Sequence, residues 1–150
     1  EAKIQDDSML IPGTNGGKMS KSANNIINIF LDDKSLRKQV MSIETDSTPL
    51  EDPKNPDTCN AFAIYSLLAN DEQIAAMKAN YLGGNYGYGH AKQALFELIC
   101  EKFKTERKQY SYYMNNLTEV DALLKIGAQK ASVVANGVLA RVREKLGFEV

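Results

Sequence analysis

Apolar side chains recur at intervals of three and four residues through most of the chain after residue 32. This spacing places them on one face of an α-helix. The three prolines within 46–56 cannot continue a helix and predict an extended connector. The pattern predicts helices at the following places: roughly 34–44, from Thr58, from Asn70, 91–115, and from Thr118 until just before Gly147.

Several predicted helix ends carry residues that can satisfy free backbone groups. Asn70 followed by Gln73 has the spacing of a capping box, and Thr118 followed by Asp121 resembles one. Gly147 suits the position just past the last helix, because glycine adopts the left-handed conformation without strain. These caps strengthen the helical interpretation of the chain.

The segment before the first helix has no helical period. Asp32 or Asp33 can cap that helix, while the apolar stretch 26–31 fits either a short strand or a buried turn. We therefore predict an all-α fold. A helical bundle over 33–150 follows an irregular arm over 1–32 that carries a glycine-rich loop.

Composition excludes some classes of function. Eighteen basic and nineteen acidic residues leave a net charge of −1, so binding to nucleic acid would need a local basic surface rather than bulk charge. Cys59 and Cys100 lack metal-ligand spacing and are predicted to be reduced core residues, and no metal site is predicted. No apolar run approaches a membrane span and no signal peptide is visible, so a cytoplasmic protein without a membrane partner is expected.

The loop "GTNGGKMSKSANN" (13–25) has the residue types of a phosphate-binding segment. Its glycines let the backbone approach a ligand closely, and the ammonium groups of Lys18 and Lys21 suit a polyphosphate that gains negative charge during a reaction. The glycines do not match a Walker A loop. The alternative from composition alone is a solvated surface loop.

A basic and aromatic stretch lies near the end of the predicted helix 91–115. Cationic groups can bind RNA phosphates and aromatic rings can stack on bases. The alternative is that Tyr110 and Tyr113 are core residues and the cations form a solvated face. The candidate RNA-binding cations are Lys102, Lys104, Arg107 and Lys108.

The string "KMSKS" (18–22) is similar to the second signature of class I aminoacyl-tRNA synthetases. The stretch 18–56 resembles the segment that follows this signature in bacterial tryptophan–tRNA ligases. "YGYGHAK" (86–92) and "GAQKA" (127–131) are similar to two later elements of that family. Four elements in matching order rarely recur by chance. The tryptophan branch is favoured over the tyrosine branch, because the loop of bacterial tyrosine enzymes commonly departs from KMSKS and their C-terminal region differs.

The resemblance implies an enzyme that activates tryptophan with ATP, Mg²⁺ being expected, and transfers it to tRNA(Trp). It implies that Lys18 and Lys21 are catalytic, holding the departing pyrophosphate, and that Met19, Ser20 and Ser22 complete the ATP-binding loop. It further implies a homodimeric full-length enzyme and a C-terminal domain that binds the anticodon.

The first signature of class I synthetases is not found in this sequence, and strands and helices do not alternate. The chain is therefore expected to be a C-terminal fragment, inactive alone, with 1–32 as the trailing edge of the catalytic domain and 33–150 as the tRNA-binding domain. The alternative is a stand-alone helical module that binds RNA or protein without catalysis.

Overall fold

The computed structural model of the protein describes residues 10–148, and their regular structure is helical, which confirms the all-α prediction. A short 3-10 turn spans Pro56–Thr58, and one isolated antiparallel bridge joins Pro12 to Lys18. The described residues form six α-helices: α1 Asp33–Met41, α2 Asn60–Leu68, α3 Asp71–Gly83, α4 Tyr88–Lys102, α5 Lys104–Asn115 and α6 Leu117–Leu146.

Three predicted helix ends are confirmed by their hydrogen bonds. Asp32 accepts a bond from the Ser35 amide at the start of α1, and Asn70 and Gln73 form the predicted capping box of α3. Gly147 ends α6 in the left-handed conformation, with φ of 76°. Local sequence is sufficient at these ends because each cap involves neighbours in the chain.

The single helix predicted over 91–115 is wrong, because Phe103 separates α4 from α5 with φ of −104° and ψ of 20°. Its ring is half-buried against the core. On either side, Lys102 donates to the Leu68 carbonyl and Arg107 donates to the Ile29 carbonyl. These long-range contacts bend the chain where helical periodicity alone predicts continuity.

The predicted capping box at Thr118 is also wrong. Helix α6 begins one residue earlier, at Leu117, and Asn116 precedes it without a side-chain cap. The Asn116 side-chain amide instead donates to the Tyr112 carbonyl, 2.7 Å away. The Tyr112 hydroxyl donates to Glu119 at 2.7 Å, and this bond ties the first turn of α6 to α5.

The described chain divides into two compact units, with the boundary between Arg107 and Lys108, inside α5. In the first unit, α4 packs against both α1 and α2. In the second unit no residue of α6 is buried, and Tyr110 and Tyr113 are exposed, so their interpretation as core residues is wrong. The predicted domain boundary at residue 32 concerns a longer protein and stays a prediction.

The core of the first unit is an apolar cluster around a buried tyrosine. Tyr81 is fully buried, and its ring lies 5.5–6.1 Å, between centroids, from three other aromatic rings. Cys59 is buried and Cys100 is half-buried, both as predicted. The segment 26–31 is an irregular, half-buried turn rather than a strand. The largest fully buried side chains are Tyr81, Leu36, Ile43, Leu95, Ile99 and Val40.

Candidate functional site

The glycine-rich loop is a tight turn closed by backbone hydrogen bonds. The Gly13 amide donates to the Gly17 carbonyl at 2.7 Å, and the Met19 amide donates to the Ile11 carbonyl at 2.9 Å. Gly16 has φ of +75°, and a Cβ atom there would lie 2.6 Å from Asn60 Oδ1. This position therefore requires glycine for both its conformation and its close approach to α2.

One hydrogen bond attaches the base of the loop to Glu44, and a second joins Glu44 to the first residue of α2. The Glu44 amide donates to the Thr14 carbonyl at 2.7 Å, and the Asn60 side chain donates to the Glu44 carbonyl at 3.2 Å. The loop is thus fixed at its base to Glu44, which follows α1, and through Glu44 to the first residue of α2.

Lys18 and Lys21 are both exposed, and within residues 10–148 neither ammonium group forms an ion pair or a hydrogen bond. Both are therefore available to a ligand. The hydroxyls of Ser20 and Ser22 lie 3.3 Å apart, and Ser20 Oγ also accepts a bond from the Ala23 amide at 3.1 Å.

Met19 lies between the polar residues of the signature but contacts a different environment. It lines an apolar cavity of about 270 Å³, together with residues of the irregular arm and of α2 and α4. Half-buried Met19 thus anchors the loop to the apolar residues of the arm, α2 and α4. The other lining residues are Ile11, Ile27, Ile29, Ile64, Leu67, Leu68, Ile99 and Phe103.

The four candidate RNA-binding cations have different surroundings. Arg107, whose side chain is 17% exposed, pairs with Asp33 as well as with the Ile29 carbonyl. Lys104 Nζ lies 3.4 Å from a carboxylate oxygen of Glu101 on the surface. The Lys102 ammonium group donates a hydrogen bond to the Leu68 carbonyl. Lys108 is exposed and begins the second unit.

Sequence reasoning missed a buried lysine in the proline-containing connector. Lys54 is 2% exposed, and its ammonium group donates to the carbonyls of Pro49, Leu50 and Asp52 at 2.8–3.3 Å. It also lies 5.4 Å from the centroid of the Tyr88 ring. No local signal distinguishes this lysine from exposed ones, because the carbonyls converge only once the connector has folded.

Asp46 and Tyr88 connect the same connector to the start of α4. The Tyr88 hydroxyl donates to Asp46 at 2.7 Å, and the Thr48 amide donates to the same carboxylate at 2.9 Å. Bonds from Thr48 and Tyr88 lower the pKa of Asp46. Burial, followed by the bond to Asp46, raises the pKa of Tyr88 to about 12.

Replacing Tyr88 with phenylalanine should make the free energy of unfolding fall less steeply as the pH rises into the alkaline range. Because the pKa of Tyr88 in the folded chain, about 12, exceeds the value of about 10 for a free tyrosine, the folded state retains a proton that the unfolded chain releases. The free energy of unfolding should therefore fall as pH rises across this interval, and by less in Tyr88→Phe. Denaturant titrations between about pH 9 and pH 12 measure both slopes, and identical slopes would contradict the assignment.

Among the residues described, no group of three His, Cys, Asp or Glu side chains is arranged to hold a metal ion. In the same part of the chain, none of the helices has the length and apolar character needed to cross a membrane.

The sequence matches the family described as "tRNA synthetases class I (W and Y)" over residues 3–104, and the chain belongs to that family. This finding confirms the resemblance drawn from the signature loop. Residues 3–9 of the match lie outside the described part of the structure.

The similar proteins are tryptophan–tRNA ligases. The chain is 46% identical over 148 residues to the "Tryptophan--tRNA ligase" of Fusobacterium nucleatum, covering 99% of this chain and 45% of that protein. Against the Campylobacter jejuni enzyme the identity is 39%, with 99% and 46% covered. A crystal structure of Campylobacter jejuni tryptophanyl-tRNA synthetase "complexed with ADP and Tryptophane" matches with a TM-score of 0.91 at 38% identity, over 99% of this chain and 46% of that one. The chain thus spans about half the length of the relatives that it matches.

Proposed function

We propose that the chain is part of a tryptophan–tRNA ligase, in which it supplies the loop that binds the ATP phosphates and the helical region that binds tRNA(Trp). The observation that carries the proposal is the signature loop itself: its backbone is fixed at the base while Lys18 and Lys21 reach solvent and are unengaged within the described residues. The Campylobacter relative was crystallised with ADP and tryptophan, which supports an adenine nucleotide and tryptophan as ligands of the whole protein.

In the proposed reaction, a carboxylate oxygen of tryptophan attacks the α-phosphorus of ATP. The bond from that phosphorus to the oxygen bridging the β-phosphorus breaks, and pyrophosphate leaves with the bonding electrons. The ammonium groups of Lys18 and Lys21 stabilise the growing charge on the leaving group. The tryptophanyl adenylate then passes its acyl group to a ribose hydroxyl at the tRNA 3′ end, and AMP leaves.

The other loop residues have supporting roles in this proposal. Ser20 and Ser22 offer hydroxyls to phosphate oxygens, while Met19 anchors the loop through the apolar cavity. Mg²⁺ is expected to accompany ATP, because it neutralises phosphate charge in such transfers. The whole protein, meaning the full-length enzyme to which this chain would belong, is expected to be a homodimer.

The proposed tRNA-contacting residues remain Lys102, Lys104, Arg107 and Lys108. We expect Lys104 and Lys108 to provide most of the phosphate contacts, because Lys102 and Arg107 already bind groups of the first unit. Their exposure leaves these two side chains available to RNA.

Lys104→Ala and Lys108→Ala in the whole protein should each weaken tRNA binding and reduce its salt dependence. The slope of log affinity against log salt should decrease by about one for each phosphate that is no longer neutralised. Arg107→Ala should instead lower the free energy of unfolding, by about 1–3 kcal/mol, since it leaves the Ile29 carbonyl without its donor. Filter binding at several salt concentrations, together with denaturant unfolding, separates the two effects. Unchanged slopes for both lysine variants would contradict this placement of the RNA.

The proposed function is tested by transfer of labelled tryptophan to tRNA. The whole protein should charge tRNA(Trp) in the presence of ATP and Mg²⁺, and the isolated 150-residue chain should not, because the resemblance places the tryptophan and adenine pockets in the other half of the enzyme. RNA binding without charging by the whole protein would favour the stand-alone module instead.

A further inference from the structure

Asn25, the last residue of the loop 13–25, is a buried polar residue that is 3% exposed. We propose that Asn25 is a positioning residue for tryptophan activation, acting through the backbone of Lys18 and Ser20. The inference rests on the proposed function, since it concerns the same loop and the same phosphate ligand.

The side-chain amide of Asn25 binds the backbone on both sides of Met19. Its nitrogen donates to the Lys18 carbonyl at 3.1 Å, and its oxygen accepts from the Ser20 amide at 2.8 Å. This pairing copies the donor and acceptor of a neighbouring strand and fixes the backbone between Lys18 and Ser20. Met19 is thereby held against the apolar cavity while the Lys18 side chain still reaches solvent.

The remaining contacts of Asn25 join the KMSKS segment (18–22) to the glycine-rich turn that precedes it. Its nitrogen also donates to Asn15 Oδ1 at 2.7 Å, and the same Asn15 oxygen accepts from the Gly17 amide at 3.1 Å. The Asn25 carbonyl accepts from the Thr14 amide at 2.9 Å. A Cβ atom at Gly13 would lie 2.3 Å from Asn25 Cγ, so the turn leaves no room beside this amide.

These contacts require an amide rather than a carboxylate. Aspartate at position 25 would keep the acceptor for Ser20 but would place a second oxygen against the Asn15 and Lys18 oxygens, where asparagine donates. The loop would have to move away from this repulsion. Because Lys18 lies directly beside the broken hydrogen bond, its ammonium group would no longer have a preset direction towards the phosphates.

The direction of the Lys18 ammonium group matters most when the departing pyrophosphate gains charge. A displacement of about 1 Å in a reacting arrangement can cost on the order of a hundredfold in rate. Replacing Asn25 should therefore lower the rate of adenylate formation more than it raises the KM for ATP, because ground-state binding uses the same cations without demanding their final geometry.

The experiment measures single-turnover adenylate formation by the whole protein carrying Asn25→Asp or Asn25→Ala, each alone and combined with Lys18→Ala. The matched control is Asn55→Asp, an exposed site outside the loop where the Asp57 amide needs only an acceptor. Each Asn25 variant should lower the rate by about tenfold to a hundredfold. In the Lys18→Ala background the same change should cost much less, because Asn25 is proposed to act by directing the Lys18 ammonium group, which that background lacks.

Amide hydrogen exchange at Ser20 supplies a readout independent of activity, and it should accelerate in Asn25→Ala, which removes the acceptor of that amide. Wild-type rates in an otherwise active enzyme, or a full additional decrease on top of Lys18→Ala, would overturn the inference. A wild-type protein that does not activate tryptophan would instead contradict the proposed function. If Asn25→Asp does not fold, Asn25→Ala, which removes the hydrogen bonds without introducing a charge, decides the question by the same criteria.

Discussion

Lys18→Ala and Lys21→Ala, each made in the whole protein, are expected to lower the rate of tryptophan activation by about 10²–10³, equivalent to about 2.7–4 kcal/mol of transition-state stabilisation. Both side chains reach solvent from a loop whose base is fixed by hydrogen bonds, so truncation leaves the fold intact. Single-turnover adenylate formation at saturating ATP and tryptophan measures the effect directly.

The effect should appear in the rate rather than in ATP binding. The two lysines are proposed to act mainly on the departing pyrophosphate, whose charge grows only as the bond breaks, so the dissociation constant for ATP should change less. Lys78→Ala, which removes an exposed lysine from α3, is the matched control and should activate tryptophan normally. Wild-type rates for both loop variants would mean that 13–25 is only a solvated surface segment.

Tyr81→Ala is expected to lower the free energy of unfolding of the first unit by about 3–5 kcal/mol, the range for removing a buried aromatic side chain. Tyr81 is fully buried and touches the rings of Phe62, Tyr86 and Tyr88. Alanine would leave a cavity at the point where α2, α3 and the start of α4 meet. Denaturant unfolding followed by near-ultraviolet circular dichroism, to which the tyrosines contribute, measures the change.

Two controls separate the packing of the ring from the bond of its hydroxyl. The Tyr81 hydroxyl lies 3.3 Å from Cys59 Sγ, and Tyr81→Phe removes only this interaction, so it should cost far less than alanine. Tyr112→Ala truncates a tyrosine that is 53% exposed and should have little effect on the first unit. Equal decreases for Tyr81→Ala and Tyr112→Ala would contradict the placement of Tyr81 at the centre of the core.

Sequence periodicity predicted the helical class because most helices of the first unit bury one apolar face. It located the ends at Asp32, Asn70 and Gly147, where a cap depends on adjacent residues. It failed at Phe103, where contacts with residues far along the chain interrupt the helix. It failed again before α6, because the Asn116 side-chain amide serves the preceding helix.

The candidate site shows the same division between local and long-range information. Lys18 and Lys21 are recognisable because the signature is a continuous string of residues. Asn25 and Lys54 were not recognisable, since neither residue type suggests burial and both are satisfied by groups that converge only after folding. A single buried asparagine or lysine has no periodic pattern that sequence reasoning could detect.

The central claim, that this loop belongs to an enzyme activating tryptophan, is tested most directly by ATP–pyrophosphate exchange with the whole protein, supplied in parallel with tryptophan or with tyrosine. Tyrosine is the informative comparison because the matched family comprises both the tryptophan and the tyrosine enzymes. ATP–pyrophosphate exchange should depend on tryptophan and remain at background with tyrosine. Exchange supported by tyrosine, or by neither amino acid, would contradict it.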